Sequence, residues 1–141
     1  MQSKNTKTYT IREVSALFHL PASTLRYYEE AGILPAVPKT SGRRIYSQLH
    51  LDRLSAIECF KNTGMSISRI KDFFTYEETM ETNIDNMLSL LSSQKIILEE
   101  KLSNLQNSYK HIQCKLEYYS AVKKAVDDKK SIPDWNEFFC K

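Results

Sequence analysis

The stretch STLRYYEEAGIL, residues 23–34, predicts a short amphipathic helix that stops at a glycine. The HLP at 19–21 contains a proline that cannot donate a backbone hydrogen bond, so this helix is expected to run from Ala22 to Gly32. Before the break, apolar residues at helical spacing follow Thr10, a good N-cap. Two short helices joined by a tight turn predict a helix-turn-helix.

A hairpin and two further helices are expected next. The segment PAVPKTSGRRIYS, residues 35–47, has two prolines and a set of turn residues, which predicts a small β-hairpin or wing. Ser47 is expected to cap a third helix that ends at Gly64, and a fourth helix is expected after Ser66. The predicted fold class is therefore mainly α, with a winged helix-turn-helix.

The second half carries an apolar heptad pattern that predicts a coiled coil. Residues 83–128 contain neither glycine nor proline, so they are expected to form one long helix. A single helix cannot bury this seam, and the chain offers no second helix of similar length, so the expected partner is a second copy. Lys95 and Lys123 interrupt the seam, where their ammonium groups are expected to reach water. The expected dimerisation residues are Ile84, Leu88, Leu91, Leu98, Leu102, Leu105, Tyr109, Ile112, Leu116 and Tyr119.

Charge is distributed unevenly between the two halves. Residues 1–75 carry 11 Lys/Arg and 6 Asp/Glu, a net charge of +5, whereas residues 76–141 carry 9 and 11, a net charge of −2. A cationic half is suited to a polyanionic partner. The expected domains are a winged helix-turn-helix at 1–75, a linker at 76–82, a dimerisation helix at 83–128 and a tail at 129–141.

Several protein classes are disfavoured. No apolar run approaches the roughly 20 residues of a membrane span, and the polar start lacks the apolar core of a secretory signal, so no membrane contact and a cytoplasmic location are expected. Cys59, Cys114 and Cys140 are widely spaced, which predicts reduced thiols. Neither a glycine-rich phosphate loop nor a nucleophile pattern is present, so neither an enzyme nor a cofactor is expected.

The predicted second helix presents a cation and a phenol on one face. Arg26 can fork onto a phosphate or a base edge, and the Tyr27 hydroxyl can reach a phosphate oxygen. The wing offers a second contact region and the end of the third helix a possible third. The alternative is that the tyrosines belong to the core and the arginines only solvate the surface. The candidate DNA contacts from these regions are Ser23, Arg26, Tyr27, Arg43, Arg44 and Lys61.

The motifs TIREVSALFHLPASTLRYYEEAGIL, SGRRIYS and FKNTGMSISRIKDF, followed by a long helix, resemble the MerR (mercury-resistance-regulator) family of bacterial transcription factors. The resemblance implies that the long helix pairs antiparallel with its twin. It also implies a near-palindromic operator in a promoter whose spacer is too long for bacterial RNA polymerase, and switching by distortion of this DNA. By the same resemblance, Arg26, Tyr27, Arg44 and Tyr46 match DNA-contacting positions, and Lys61 matches a phosphate-contacting one.

The chain departs from the family pattern at two places in the expected DNA-binding region. The usual Gly-Val-Ser-Pro at the turn reads His-Leu-Pro-Ala at 19–22, which leaves the second helix without a serine cap. The usual wing tyrosine is replaced by Arg43, which offers one more phosphate contact instead of a ring contact.

The cysteine pattern bears on the signal. Metal-sensing relatives carry a cysteine at the start of the dimer helix, where this chain has none, and His111 with Cys114 supplies only two ligands, so no metal site is expected. The segments ECFKNTGMSI and YKHIQCKLEYY resemble the branch that responds to aldehydes and electrophiles, which makes Cys59 the sensor candidate. Its position off the apolar arc favours access, whereas its place in the last helical turn, where the helix dipole disfavours a thiolate, is as consistent with an inert thiol.

Two other functions stay open. In one, a small molecule binds between the dimer helix, the tail and the DNA-binding domain, with Trp135, Phe138, Tyr109 and Tyr119 as candidate lining. In the other, the chain is a coiled-coil adaptor whose basic half binds an acidic protein. The tail itself is expected to be either frayed or docked on the partner subunit.

Overall fold

A computed structural model describes residues 6–138 of the chain. Within that range the protein is mostly helical, and no helix combines the length and apolar character of a membrane span. The predicted fold class, a winged helix-turn-helix followed by a long helix, is confirmed. The elements in chain order are β1 (Tyr9–Thr10), α1 (Ile11–Phe18), α2 (Ala22–Glu30), β2 (Lys39–Thr40), β3 (Arg43–Tyr46), α3 (Gln48–Asn62), α4 (Ile67–Glu78), α5 (Met80–Asp127) and a 3₁₀ helix (Trp135–Phe138).

The helix-turn-helix begins at a reciprocal cap. Thr10 Oγ1 accepts a hydrogen bond from the Glu13 amide at 3.2 Å, and the Glu13 carboxylate accepts one from the Thr10 amide at 3.1 Å. At the turn, His19 adopts a left-handed conformation with φ of 52°, which ends α1. Pro21 then stands at the N-cap of α2 without a side-chain hydrogen bond, so the uncapped start that the sequence predicts is observed.

The wing is a β-hairpin with a two-residue turn. Strands β2 and β3 pair antiparallel, with Lys39 opposite Arg44 and Thr40 opposite Arg43. The intervening Ser41 and Gly42 both have positive φ angles, 52° and 76°, as the twist of a tight hairpin requires.

A third strand joins this hairpin on its other side. Strand β1 pairs antiparallel with β3 and places Tyr9 opposite Tyr46 and Thr10 opposite Ile45. Sequence patterning did not indicate this strand. Because Thr10 also caps α1, the pairing holds the first turn of α1 beside the wing.

The N-terminal compact unit extends to Gln94, and the second begins at Lys95. Helix α4 ends at Glu78 and α5 begins at Met80, so most of the expected 76–82 linker is helical. Leu90 of α5 belongs to the same buried core as the N-terminal helices, which explains why this unit extends beyond residue 75. The other core residues are Val14, Leu25, Tyr28, Ile33, Leu34, Val37, Tyr46, Leu51, Leu54, Ile57, Met65, Ile70 and Phe74.

In the C-terminal unit the tail folds back on its own helix. The Tyr118 ring packs edge-on against Trp135 and Phe138, with ring centroids 5.0 and 5.7 Å apart, and its hydroxyl donates to the Pro133 carbonyl at 3.2 Å. The described part of the tail, up to residue 138, is therefore docked on α5 of its own chain. Cys114, on the same outer face, is buried and disulfide-bonded, which corrects the expectation that it is a reduced thiol. Cys140 lies outside the described residues.

The heptad seam is exposed in the single chain. Leu105, Ile112 and Leu116 are 68%, 64% and 67% exposed. The described part of the tail packs against Tyr118, which lies on the outer face in the heptad register, and so it leaves the seam open.

Candidate nucleic-acid interface

Helix α2 separates its two tyrosines between the core and the surface. Leu25 and Tyr28 are buried, whereas Ser23 and Arg26 are exposed and Tyr27 is 51% exposed. Spacings of three and four residues place Ser23, Arg26 and Tyr27 on one helical face. The alternative in which both tyrosines belong to the core therefore holds for Tyr28 and not for Tyr27.

Arginines converge on a concave surface next to this helical face. A cavity of about 430 Å³ is lined by residues of the α1 start, α2 and the wing. Four arginine side chains around one depression are suited to binding a phosphate backbone, because each guanidinium group can donate two hydrogen bonds to one phosphate. Arg12 is the member that sequence reasoning missed, since only the pairing of β1 with β3 brings the start of α1 to the wing. The lining residues are Thr10, Ile11, Arg12, Arg26, Gly42, Arg43 and Arg44.

Arg44 of the wing is anchored by a carboxylate of α2. Its Nε donates to the Glu29 carboxylate at 2.9 Å, and this hydrogen bond raises the pKa of Arg44. The side chains of Arg44 and Glu29 are 25% and 23% exposed, so the pair lies at the surface and stays hydrated. The bond ties strand β3 to helix α2 and fixes the position of the wing relative to the exposed face of α2.

Tyr46 lies beneath the wing and not on its surface. The residue is 0% exposed, and its ring packs edge-on against His50 at 5.7 Å. Burial raises the pKa of the Tyr46 phenol, and among the described residues its hydroxyl is the buried side-chain polar atom that lacks a hydrogen-bond partner. The direct DNA contact expected for Tyr46 is therefore not offered by this conformation, because no part of the ring reaches the surface. Its position supports the wing from below.

His50 connects the loop before the wing to α3. Its Nδ1 accepts from the Ser47 amide at 3.0 Å, and its Nε2 faces the Ala36 carbonyl at 3.1 Å. A carbonyl oxygen only accepts, so Nε2 carries the proton and Nδ1 is the acceptor. His50 is buried and takes the place that a glutamate has in a usual capping box. Sequence reasoning found Ser47 as the cap but missed its partner.

Lys61 is held at the end of α3 by a phenol and a carboxylate. Its Nζ donates to the Tyr28 hydroxyl at 2.6 Å, and that hydroxyl donates to Glu58 Oε1 at 3.1 Å. The bond to Tyr28 is the main cause that raises the pKa of Lys61, and burial is the main cause that raises the pKa of Tyr28. The Lys61 side chain remains 38% exposed, so its ammonium group is accessible and yet fixed in place.

The candidate sensor and ligand residues occupy separate places. Cys59 is an exposed free thiol, so it is not packed in the core. Tyr109 and Tyr119 lie exposed at seam positions, whereas Trp135 and Phe138 pack against Tyr118. The four aromatic residues expected to line a ligand site are thus divided between the seam and the outer face of α5. Within residues 6–138, no cluster of three or more His, Cys, Asp or Glu is placed to hold a metal ion.

Known proteins resemble this chain over most of its length. Residues 9–77 match the sequence profile of MerR HTH family regulatory proteins. An uncharacterised HTH-type transcriptional regulator of Haemophilus influenzae is 32% identical over 117 residues, which is 82% of this chain and 87% of that protein. The crystal structure of HiNmlR, a MerR family regulator lacking the sensor domain, bound to promoter DNA, is similar with a TM-score of 0.78 and 27% identity, covering 96% of this chain and 98% of that one. A MerR family transcriptional regulator from Bacillus thuringiensis gives a TM-score of 0.66 at 32% identity, covering 79% and 98%.

Proposed function

This chain belongs to the MerR family of transcriptional regulators, and we propose that it binds promoter DNA as a homodimer through the arginine-lined surface of α2 and the wing. The observation that carries the proposal is the cavity into which Arg12, Arg26, Arg43 and Arg44 converge, beside the exposed Tyr27. HiNmlR, with a similar fold, is described as bound to promoter DNA, which supports the same partner for this chain.

The contacts are proposed to divide into two kinds. Arg12, Arg43 and Lys61 bind phosphates and set the position of the protein on the duplex. Arg26 lies on the exposed face of α2 and reaches base edges or the adjacent phosphate. Arg44, tied to Glu29, holds the wing in place and contributes its two terminal nitrogens to the backbone.

Dimerisation through α5 is the second part of the proposal. The exposed apolar residues along 84–119 recur at heptad spacing, and a seam of this kind is stable in water only when a partner covers it. A second copy that pairs antiparallel would present two identical basic surfaces to an operator with two-fold symmetry. Such a regulator is proposed to bend and untwist an over-long promoter spacer so that bacterial RNA polymerase recognises both promoter elements.

Cys59 is proposed as the position at which an electrophile acts. In the reaction with an aldehyde, the thiolate sulfur forms a bond to the carbonyl carbon, the C=O π pair moves to oxygen, and that oxygen takes a proton to give a hemithioacetal. The exposure of Cys59 at the end of α3 supports access by such a reagent.

Fluorescence anisotropy with duplex fragments from the regions upstream of its own and neighbouring genes tests the DNA proposal. Arg26→Ala is expected to weaken specific binding about tenfold and to lower the salt slope by about one, because one phosphate or base contact is lost. Lys124→Ala, which removes an exposed cation near the end of α5, is the matched control and should leave both quantities unchanged. Equal binding of all duplexes, regardless of two-fold symmetry, would instead favour the adaptor.

The sensor role has a separate test. Cys59→Ser is expected to abolish an aldehyde-dependent change in transcription while operator affinity stays the same. An unchanged induction ratio in this variant would remove Cys59 from the mechanism and leave the DNA-binding proposal intact.

A further inference from the structure

Gln94 is a buried polar residue on a helix that is otherwise largely exposed. It is 5% exposed and lies at the last position of the N-terminal compact unit. Its Nε2 donates to the Thr63 carbonyl at 2.9 Å and also lies 3.3 Å from the Thr63 hydroxyl. Its Oε1 accepts from Arg69 Nη1 at 3.4 Å. One amide group therefore joins α5 to the turn after α3 and to α4.

Arg69 extends this connection along α5. Its Nη2 donates to Ser93 Oγ at 2.7 Å and lies 3.5 Å from the Leu90 carbonyl. The Arg69 guanidinium thus bonds to three residues of α5, at positions 90, 93 and 94. We call the set Thr63, Arg69, Ser93 and Gln94 the polar clamp.

The partners determine which way the Gln94 amide points. Arg69 has only donors, so it must face Oε1, and the Thr63 carbonyl only accepts, so it must face the NH₂ group. Glutamine satisfies both at once. A glutamate would keep Arg69 but would place a carboxylate against the Thr63 carbonyl, and a methionine of similar shape would leave both partners without their bonds.

Apolar contacts alone do not fix an angle between helices as narrowly. Leu90 and Met87 bury apolar surface of α5, and burial of this kind is non-directional. Hydrogen bonds have preferred distances and angles, and those of the clamp meet at the buried Gln94 amide, so the polar clamp selects one orientation of α5 on α3 and α4.

We infer that Gln94 is a positioning residue that fixes the direction of the first turns of α5 on α3 and α4, and through it the half-site spacing that the dimer accepts. The inference rests on the proposed function, because it requires two copies on one operator. A small change of this direction is enough to alter the half-site spacing. A rotation of about 10° moves the far side of a unit roughly 20 Å across by about 3.5 Å, which is about one base-pair step along DNA.

Binding to a series of symmetric duplexes tests the inference. The duplexes carry the same half-sites with the central spacing lengthened or shortened by one and two base pairs. The wild-type protein is expected to prefer one spacing. Gln94→Met and Gln94→Glu are expected to reduce the preference for that spacing about tenfold, while each half-site is still bound. Glutamate keeps the bond to Arg69 and loses the bond to the Thr63 carbonyl, so a reduced preference in Gln94→Glu assigns the effect to the Thr63 bond. Asn107→Leu, an exposed amide on the outer face of the same helix, is the matched control.

The outcomes separate a positioning role from a structural one. A merely structural role would lower the melting temperature and weaken binding to all spacings equally. If folded Gln94→Met keeps the wild-type ratio of affinities across the series, the inference is wrong. If the wild-type protein prefers no symmetric duplex at all, the proposed DNA-binding function is wrong. That failure is distinguishable from failure of the inference, because it is seen without any substitution in the clamp.

Discussion

Two buried tyrosines should respond in opposite ways to the loss of one oxygen atom. Tyr28 and Tyr46 are 1% and 0% exposed, so phenylalanine fills either site with nearly the same shape. The Tyr28 hydroxyl is bonded to both Lys61 and Glu58. The Tyr46 hydroxyl is buried without a hydrogen-bond partner among the described residues. The substitution Tyr→Phe therefore isolates the hydrogen-bonding state of the phenol.

The expected magnitudes follow from these environments. A hydrogen bond to a charged group contributes about 1.5–3 kcal/mol, but Lys61 and Glu58 are 38% and 29% exposed and regain water when the phenol is lost. Tyr28→Phe should therefore lower the free energy of unfolding by about 1–2 kcal/mol. Tyr46→Phe removes an oxygen whose desolvation is not compensated and should raise the free energy of unfolding by about 1 kcal/mol.

Urea unfolding at a fixed protein concentration measures both effects, because a dimer's apparent stability depends on concentration. The midpoints should move in opposite directions with an unchanged m-value. The melting temperatures should differ by roughly 5–15 °C between the two variants. Destabilisation of similar size by both substitutions would refute the reasoning about Tyr46. A loss of DNA affinity in Tyr46→Phe at unchanged stability would restore the direct DNA contact implied by the family resemblance.

Three further outcomes are expected. His50→Ala should lower the free energy of unfolding by about 1–2 kcal/mol, and His50→Gln should recover part of it because an amide oxygen still accepts from the Ser47 amide; urea unfolding compares them. Burial raises the pKa values of Tyr28 and Tyr46, so ionisation of these phenols costs more in the folded than in the unfolded state. The free energy of unfolding is therefore unaffected by them below the unfolded pKa of about 10 and falls as pH rises through the folded values, which alkaline circular-dichroism titration would show as unfolding. Tyr118→Ala should release the tail and shift the emission of Trp135, the only tryptophan of the chain, to longer wavelength; an unshifted spectrum would contradict the docked tail.

Local signals accounted for most of the helices. Thr10 and Ser66 cap α1 and α4 as their positions predict, and all but the last residue of the 83–128 segment without glycine or proline lies within α5. These features depend on residues a few positions apart, so one sequence contains them.

Long-range pairings were the part that one sequence did not reveal. Strand β1 is two residues long and has no periodicity, yet it brings Arg12 to the cavity. Lys61 was assigned a role from its position in the family, but its bond to Tyr28 joins residues 33 positions apart. Gln94 lies at the edge of the heptad seam, one residue before Lys95, and only the packing of α5 on α3 and α4 explains its burial. In each case tertiary contact overrides a local pattern.

Acidic residues on the proposed DNA-reading side fix its cations. Glu29 binds Arg44 directly, and Glu58 acts on Lys61 through the shared Tyr28 hydroxyl. Each carboxylate lowers the local positive potential, so it costs some of the long-range attraction to DNA. It also restricts a flexible side chain that would otherwise lose about 1.5–2 kcal/mol of conformational entropy when it contacts a phosphate. Non-specific attraction depends on total charge, whereas fit to one DNA shape depends on fixed positions. The arrangement therefore favours discrimination between sites over affinity for DNA in general, which is the balance that a promoter-specific regulator requires.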